Sequence, residues 1–356
     1  MKDNNIFGSA GTALILGGAG FIGLNLANYL LKKKWKVIAM DSGYTSSEKV
    51  YQMFAQDHSM FIEHKLFKMI PFDIRDTDQV MWSKIFKISN LTRVYNLACP
   101  ASPPFYQRDP FHTLDTCYGG TWNLMRAWKK YGECKQNLFH ASTSEVYGDP
   151  TIHPQQEDYF GNVNTYGPRA CYDEGKRIAE TICYEYQKLC ENDGGKLRVG
   201  RIFNTYGPYM RPDDGRVVTN FISRALAAEP LQIYCNQADE PPTRSMCYIE
   251  DLLDMIERMM VSKGINVGPT NIGNPTSEIS MPALANKVIQ LTGSKSVISY
   301  TQRPQDDPKV RKPWLLKYEN MYENTHRKHN FTLLSEGLTH TIKYMEHYKK
   351  LNGGLP

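Results

Sequence analysis

The stretch TALILGGAGFIG, residues 12–23, decides the fold of this chain. Its first five residues, 12–16, are a short apolar run that predicts a buried β-strand. Glycines follow at once, and a helical apolar pattern then covers residues 21–34. A strand, a glycine-rich turn and a helix in this order are typical of the first unit of a dinucleotide-binding sheet.

The glycines of this turn have the spacing G-x-x-G-x-x-G, at Gly17, Gly20 and Gly23. Gly17 permits the tight turn, Gly20 lets the backbone approach a pyrophosphate, and Gly23 lets the helix pack closely on the strand. The helix N-terminus, with Phe21 and Ile22, offers N–H groups and its dipole to the anion. We therefore predict that these five residues bind a dinucleotide cofactor.

An acidic residue, Asp41, follows the second predicted strand, residues 35–40. A carboxylate at this point is expected to bind the adenosine ribose hydroxyls and to repel a 2′-phosphate. Because no arginine follows closely, the sequence predicts NAD rather than NADP as the cofactor. Asp73 and Ile74, at the end of a later strand, are predicted to contact the adenine.

The first half of the chain alternates apolar runs with helical patterns, which is typical of a parallel sheet with helices on both faces. The predicted strands continue at 93–97, 137–141 and 196–203, and the predicted helices at 110–130 and 169–192. Beyond residue 204, loops with proline and glycine separate predicted helices at 217–228, 249–261 and 281–291. We predict an α/β fold, a Rossmann-like doubly wound parallel sheet with a smaller, mixed C-terminal substrate-binding domain.

The composition is that of a globular chain, with 41% hydrophobic and 22% charged residues among 356. It excludes a disordered chain, a collagen and a short disulfide scaffold. No apolar run reaches the roughly 18 residues of a membrane helix, and residues 1–5 lead into no signal segment. We therefore expect a soluble, cytoplasmic protein without a membrane partner. The net charge of +5 is mild, and without a basic stripe we expect no nucleic-acid partner.

The eight cysteines contain no CxxC pair, and the nine histidines show no metal-ligand spacing. We therefore expect no metal site, and we expect the cysteines to be buried, reduced thiols in a reducing compartment.

Tyr172 and Lys176 stand four residues apart and so share one face of the long predicted helix. A free tyrosine has a pKa of about 10, and a nearby ammonium is expected to lower it by favouring the phenolate. Such a pair can take a proton from a sugar hydroxyl while a hydride leaves the same carbon. The spacing alone is common by chance, but it gains weight downstream of a dinucleotide loop.

The segment STSEVYG, residues 142–148, follows a predicted strand and therefore lies at the carboxyl edge of the sheet, where ligands collect. The hydroxyls of Thr143 and Ser144 can bond a reacting oxygen, and Glu145 can act as an acid or a base. An ordinary serine-rich loop with a surface glutamate is the alternative interpretation.

Together these features resemble the extended short-chain dehydrogenases/reductases that act on nucleotide sugars. Several long segments are similar to one group within them, the UDP-glucuronate decarboxylases or UDP-xylose synthases. The resemblance runs from about residue 12 to about residue 350. The segments are PASPPFY (100–106), GPRACYDEGKR (167–177), RIFNTYGP (201–208), DGRVVTNF (214–221) and the pair 306–308 and 311–313. The loop 235–242 is longer and less glycine-rich than is usual there.

The resemblance implies a mechanism: C4 of UDP-glucuronate is oxidised with NAD, carbon dioxide leaves the β-keto acid, and C4 is reduced again to give UDP-xylose. Tyr172, activated by Lys176, is implied as the base, with Thr143 on the developing oxyanion. Glu145, Arg311 and Ser144 are implied to arrange the carboxylate and to supply the C5 proton. The implied substrate contacts are Pro104, Tyr106, Asn204, Arg216, Asn220, Arg244 and Tyr248.

The resemblance also implies a domain division. We assign residues 1–204 to an NAD-binding Rossmann domain, to which a segment near 235–265 returns, and residues 205–356 mainly to a nucleotide-sugar-binding domain. A homodimer built through the helices at 110–130 and 169–192 is implied as well.

Two other functions stay open. A nucleotide-sugar 4,6-dehydratase or 4-epimerase would share the fold, although dehydratases usually have aspartate where Ser144 stands and epimerases usually have a small residue in place of Glu145. A non-catalytic NAD-sensing protein would typically lack Tyr172 or Lys176.

Overall fold

The protein, described as a computed structural model, is defined at residues 10–191, 193–235, 240–262, 268–322 and 329–356. The strands are β1 Thr12–Leu16, β2 Lys36–Asp41, β3 Phe67–Pro71, β4 Leu91–Asn96, β5 Asn137–Thr143, β6 Leu197–Ile202, β7 Thr205–Tyr206, β8 Leu231–Tyr234, β9 Thr243–Ser245, β10 Cys247–Tyr248, β11 Thr270–Ile272, β12 Glu278–Ser280, β13 Ile298–Thr301 and β14 Val310–Arg311.

The helices are α1 Phe21–Lys32, α2 Glu48–Asp57, α3 Ser59–Glu63, α4 Gln79–Phe86, α5 Pro103–Arg108, α6 Pro110–Asp115, α7 Thr121–Lys130, α8 Ala170–Leu189, α9 Val217–Leu226, α10 Ile249–Val261, α11 Met281–Thr292, α12 Leu316–Tyr322 and α13 Leu334–Asn352. A π-helical turn, Thr116–Gly120, joins α6 to α7, and a 3-10 turn, Ser144–Tyr147, follows β5.

Seven strands of the described residues form one parallel sheet in the order β11–β6–β5–β4–β1–β2–β3. The chain builds outward from β1 to β3 on one side, then returns to β4 and builds outward on the other. The order therefore reverses between β1 and β4, and ligands of such sheets bind at the carboxyl ends of the strands at this point. The predicted doubly wound parallel sheet is confirmed.

Strand β1 shows why the apolar run forms a central strand, since both of its faces are covered. All five of its residues are buried, and alternate side chains enter different cores. Ala13 and Ile15 pack in the core that contains α1 and α10, whereas Leu14 and Leu16 pack in the core that contains α4, α7 and α8.

The core on the α1 side continues from the sheet into the C-terminal part of the chain. It includes residues of α9, α11 and α13, such as Phe221, Leu284 and Met345. Smaller sheets made of β8 with β13, and of β12, β9 and β14, belong to this part. Because one core serves both parts, the division at residue 204 stays a prediction.

The predicted helix at 110–130 is interrupted, because the π-helical turn separates α6 from α7. Gly120 in this turn lies so close to Ile74 that a Cβ atom would stand 2.5 Å from the Ile74 methyl group. The predicted helix at 169–192 ends at Leu189, while residue 192 lies outside the described residues. Much of the unusual 235–242 loop, residues 236–239, also lies outside them.

The expectation of reduced thiols is wrong for Cys134 and Cys190, which the structure joins in a disulfide. Cys134 follows α7 and Cys190 follows α8, so the bond links the ends of two neighbouring helices; 56 residues separate them in sequence. These two sulfurs and Asp193 form a cluster with metal-ligand atoms, but the sulfurs are already bonded to each other. Among the described residues, no helix is both long and apolar enough to cross a membrane.

Gly23 should be intolerant of a side chain, because helix α1 packs there directly on the glycine turn. A Cβ at Gly23 would lie 2.4 Å from the Gly17 carbonyl oxygen, whereas a Cβ at Gly20 would lie 3.3 Å from the same atom. We expect Gly23→Ala to lower the free energy of unfolding by about 1–3 kcal/mol, the usual range for overpacking. Urea unfolding measures this loss. The control Gly20→Ala should lose less, and equal losses would contradict this packing argument.

Candidate active site

A cleft of about 560 Å³ lies at the carboxyl ends of the central strands. This volume is in the range of small-ligand sites. Most of the predicted site residues line it, and they come from the glycine turn, from segments after β4, β5 and β6, and from the start of α8 and α9. They are Gly17, Gly20, Phe21, Ile22, Gly23, Pro104, Tyr106, Thr143, Ser144, Glu145, Tyr172, Lys176, Asn204, Arg216, Asn220 and Arg244.

The glycine turn has the backbone geometry that a pyrophosphate needs. Gly17 has a φ of 77°, and its N–H donates to the Met40 carbonyl at 2.8 Å, which anchors the turn on β2. Helix α1 begins after Gly20 without a side-chain cap, so the N–H groups of Phe21 and Ile22 point out of the helix end along the cleft. The turn therefore fits an anion at this helix terminus.

Asp41 lies at the end of β2 beside this turn, although it is not among the residues that line the cleft. Its carboxylate accepts hydrogen bonds from the Ala19 N–H at 3.0 Å and the Gly43 N–H at 2.8 Å. Burial raises the pKa of Asp41, and these backbone bonds partly offset the rise. The structure thus gives Asp41 a role in fixing the turn.

The predicted adenine contacts, Asp73 and Ile74, do not line the cleft. The Asp73 carboxylate is held by the Arg75 guanidinium at 2.7 Å, and Ile74 is buried against Gly120. Strand β3 also ends at Pro71, so these residues follow the strand rather than close it.

Tyr172 and Lys176 lie on one face of α8, as predicted, and both are buried. The Lys176 ammonium donates to the Ala141 carbonyl of β5 at 2.9 Å and lies 5.9 Å from the centre of the Tyr172 ring. Tyr172 stacks on Tyr106 with ring centres 5.1 Å apart, and Thr143 hydrogen-bonds Tyr172. The sheet edge, α5 and α8 therefore meet at this tyrosine.

The expectation that Lys176 lowers the pKa of Tyr172 is wrong for the protein without ligands. Burial, followed by the charge of nearby Cys99, raises the pKa of Tyr172 well above its ordinary value, and the bond with Thr143 offsets only part of this. The charge of Lys176 instead lowers the pKa of Cys99. Tyr172 consequently carries its proton at neutral pH.

Glu145 lies in the cleft between two buried arginines. Its carboxylate accepts from the Arg169 guanidinium at 2.6 Å and from the Arg311 guanidinium at 2.9 Å. Although burial raises the pKa of Glu145, Arg311 and Arg169 together lower it to about 2. The interpretation of Glu145 as a proton donor is therefore wrong for this state, because the carboxyl group is ionised.

Arg169 is a residue whose role the sequence reasoning missed, although it belongs to the quoted segment GPRACYDEGKR. It lines the cleft, and it lies 3.5 Å from Asp307 and 3.9 Å from Asp173 in addition to Glu145. Burial and repulsion from Glu145 raise the pKa of Asp173 to about 8. Among the described residues, the Nε atoms of Arg169 and Arg311 have no hydrogen-bond partner.

The predicted nucleotide contacts are only partly brought together. Asn204, Arg216 and Asn220 line the cleft, and the Arg216 guanidinium is paired with Asp214 at 2.5 Å. Arg244 also lines it but already donates to the Pro308 carbonyl at 2.7 Å and lies 3.3 Å from Asp307.

Tyr248 is not a cleft residue, so its assignment to substrate binding is wrong. It is buried in β10 with its hydroxyl 3.3 Å from His340 of α13. Arg211, which the sequence reasoning omitted, lines the cleft and donates to the Thr45 carbonyl at 2.7 Å.

The chain matches the protein family described as GDP-mannose 4,6 dehydratase over residues 14–336. It is also 42% identical, over 305 residues, to UDP-glucuronic acid decarboxylase 3 of Arabidopsis thaliana. That alignment covers 85% of this chain and 81% of the plant protein.

Two solved structures share the fold. An epimerase from Methanothermobacter thermautotrophicus has a TM-score of 0.81 at 22% identity, over 96% of this chain and 94% of that one. UDP-glucuronic acid 4-epimerase from Bacillus cereus, in complex with UDP-glucuronic acid and NAD, has a TM-score of 0.78 at 25% identity. This second alignment covers 94% of this chain and 99% of the epimerase.

Glu145→Gln should destabilise the fold at neutral pH, because it leaves two buried guanidiniums without their shared carboxylate. We expect the free energy of unfolding to fall by about 3–5 kcal/mol, as for other broken buried ion pairs. The folded pKa of about 2 lies below the ordinary value of 4.5. The stabilisation is therefore complete above about pH 4.5 and is lost as the pH falls toward 2.

Urea unfolding of both proteins across this pH range measures the difference, which should narrow with acidification. The matched control is Glu174→Gln, since Glu174 forms a half-exposed pair with Arg177 at 3.5 Å. Such pairs contribute about 0–1 kcal/mol. Equal losses in the two variants would contradict a special stabilising role for Glu145.

Proposed function

This chain belongs to the GDP-mannose 4,6 dehydratase family, and from that membership we propose that it is an NAD-dependent UDP-glucuronate decarboxylase that produces UDP-xylose. The plant decarboxylase is the relative that supports this choice within the family, at 42% identity. The family also contains dehydratases, so the choice of reaction depends on the chemistry of the cleft.

The observation that carries the proposal is the charge cluster of Arg169, Arg311 and Glu145 beside Tyr172. A sugar that bears a carboxylate needs a cationic partner, and guanidiniums bind carboxylates well. Arg169 reaches the cleft surface with an unused Nε donor, counted over the described residues. A neutral hexose would not use this donor.

Tyr172 is the group we assign to the sugar 4-hydroxyl, with Lys176 and Thr143 as its supports. NAD, when bound, supplies the acceptor for the C4 hydride and returns that hydride at the end, and its positive charge in the cleft favours the Tyr172 phenolate. The phenolate takes the hydroxyl proton and later gives it back. Tyr106, stacked on Tyr172, contacts the sugar.

Loss of carbon dioxide follows from the substrate itself once C4 is a ketone. The C5 carboxylate is then part of a β-keto acid, and the electrons of the broken bond move into the carbonyl as an enolate. Thr143 and Tyr172 donate hydrogen bonds to that developing oxyanion. Ser144 lies next to them in the 3-10 turn, where dehydratases of the resembling group have an aspartate.

Glu145 acts in this proposal as a positioning residue. Its pKa of about 2 means that it holds no proton at neutral pH, so it cannot donate one to C5. Its carboxylate instead keeps Arg169 and Arg311 oriented toward the substrate carboxylate.

The remaining contacts are proposed for the cofactor and the nucleotide. The glycine turn binds the NAD pyrophosphate, and Asp41 disfavours a 2′-phosphate at the ribose. Asn204, Arg216, Asn220 and Arg244, with Pro104, are proposed for the UDP-sugar. The cytoplasm as the site of action stays a prediction.

Carbon dioxide release tests the proposed function. We expect the chain, with NAD and UDP-glucuronate labelled in the carboxyl carbon, to release one labelled carbon dioxide for each UDP-xylose identified by NMR. NADP should support far slower release, because Asp41 repels the 2′-phosphate. Conversion to UDP-galacturonate without carbon dioxide would make the chain an epimerase. Turnover of UDP-glucose to a 4-keto-6-deoxy sugar would make it a dehydratase.

Tyr172→Phe should abolish turnover while UDP and NAD still bind. Loss of a general acid–base group typically costs about 100- to 10,000-fold in rate. The control Tyr106→Phe keeps the stacked ring and should mainly raise the KM for UDP-glucuronate. Steady-state kinetics and binding titrations measure both effects, and near-normal turnover of Tyr172→Phe would remove it as the base.

We propose that the chain is a homodimer that packs through the outer face of α6, the π-helical turn, α7 and α8. Large apolar side chains are exposed there, although such residues are usually buried. They are Phe111, Leu114, Tyr118, Trp122, Ile178 and Tyr184. Sedimentation velocity of the wild-type chain should give two copies, and Trp122→Lys should give one. A wild-type monomer at micromolar concentration would contradict the proposal.

A further inference from the structure

Two cysteines that the proposed mechanism does not use lie together at the floor of the cleft. The sulfur atoms of Cys99 and Cys117 are 3.1 Å apart. Cys99 follows β4 and lines the cleft, so it is reachable by small molecules, whereas Cys117 lies behind it in the π-helical turn and is buried. The pair is therefore open to chemistry from one side.

The surroundings of Cys99 favour its reactive form. Burial raises the pKa of this thiol, but the hydrogen bond from Cys117 and the charge of Lys176 outweigh burial, so the pKa lies below that of an ordinary cysteine. The thiolate is the form of cysteine that reacts with oxidants. A partner thiol in contact is what turns such a reaction into a disulfide.

We propose that Cys99 and Cys117 form an oxidisable thiol pair, which small peroxides convert into an intramolecular disulfide that blocks the cleft's activity. The Cys99 thiolate attacks one oxygen of hydrogen peroxide, which leaves a sulfenic acid on Cys99 and releases hydroxide. The Cys117 sulfur then attacks the sulfenic sulfur, the S–S bond forms and water leaves. In sum, two thiols and one peroxide give one disulfide and two waters.

The new bond would act directly on the residues above it. The two sulfurs must approach from 3.1 Å to about 2.05 Å, a shift of roughly 1 Å. Cys117 already packs against α8, because a Cβ on Gly175 would lie 3.0 Å from its Cβ, and Gly175 stands between Tyr172 and Lys176. A displacement of 1 Å at reacting groups can cost about 100-fold in rate.

Peptide mapping tests the pair without reference to activity. Trypsin places Cys99 in residues 94–108 and Cys117 in residues 109–126, each as the single cysteine of its peptide. After limited hydrogen peroxide and alkylation, we expect these two peptides to be linked, with the loss of two hydrogens. Reductant should separate them, and Cys117→Ala should abolish the link.

Cys171 is the internal competitor, since its thiol also lies near Tyr106, 3.6 Å from that residue's carbonyl oxygen. It falls in the tryptic peptide 170–176 and should remain alkylatable. A link from Cys99 to Cys171, or two fully alkylatable thiols at Cys99 and Cys117 after oxidation elsewhere, would overturn the proposal.

The effect on the cleft rests on the proposed function and is measured separately. Carbon dioxide release should fall about 100-fold in proportion to the linked fraction, and dithiothreitol should restore it. Cys190→Ala should behave in the same way, which separates this effect from the existing Cys134–Cys190 disulfide. Linked peptides with unchanged turnover would overturn the inhibition. A reduced protein that is inactive would instead refute the proposed function and leave the thiol pair to the peptide map.

Discussion

The carboxylate of Glu145 is the constraint on which the arrangement of the cleft depends. It joins three distant parts of the chain, because Glu145 follows β5, Arg169 precedes α8 and Arg311 belongs to β14. A buried carboxylate can be kept ionised only if cations are held close to it. The two arginines meet that need, and in doing so they fix the start of α8, where Tyr172 lies, against the C-terminal part.

The same cluster explains how one fold can serve related reactions. The sheet, the glycine turn and the Tyr–Lys pair provide oxidation at a sugar carbon, and these features are shared with epimerases of similar structure. What differs between such enzymes must lie in the residues around the reacting sugar. In this chain, Ser144 and the arginine-paired Glu145 occupy those positions, so the outcome after oxidation is set by charge and hydrogen bonding at the end of β5.

The sequence was sufficient for features that depend on local pattern. The strand, glycine turn and helix at 12–34, and the placement of Tyr172 beside Lys176, follow from periodicity and spacing. It was insufficient where long-range packing decides. Nothing near Tyr248 signals that β10 turns it toward α13, and no spacing pairs Cys134 with Cys190. The high pKa of Tyr172 arises from burial beside Cys99, a neighbour contributed by another strand.

The core shared by the sheet and the C-terminal helices has a consequence for how this protein can change. Phe221, Leu284 and Met345 pack in the same apolar interior as Ala13 and Ile15 of the central strand. The C-terminal part is therefore not an exchangeable module, because grafting it from a relative would replace half of an interior whose side chains interdigitate. New substrate preferences should arise by substitutions at the cleft surface, one side chain at a time, rather than by recombination of halves.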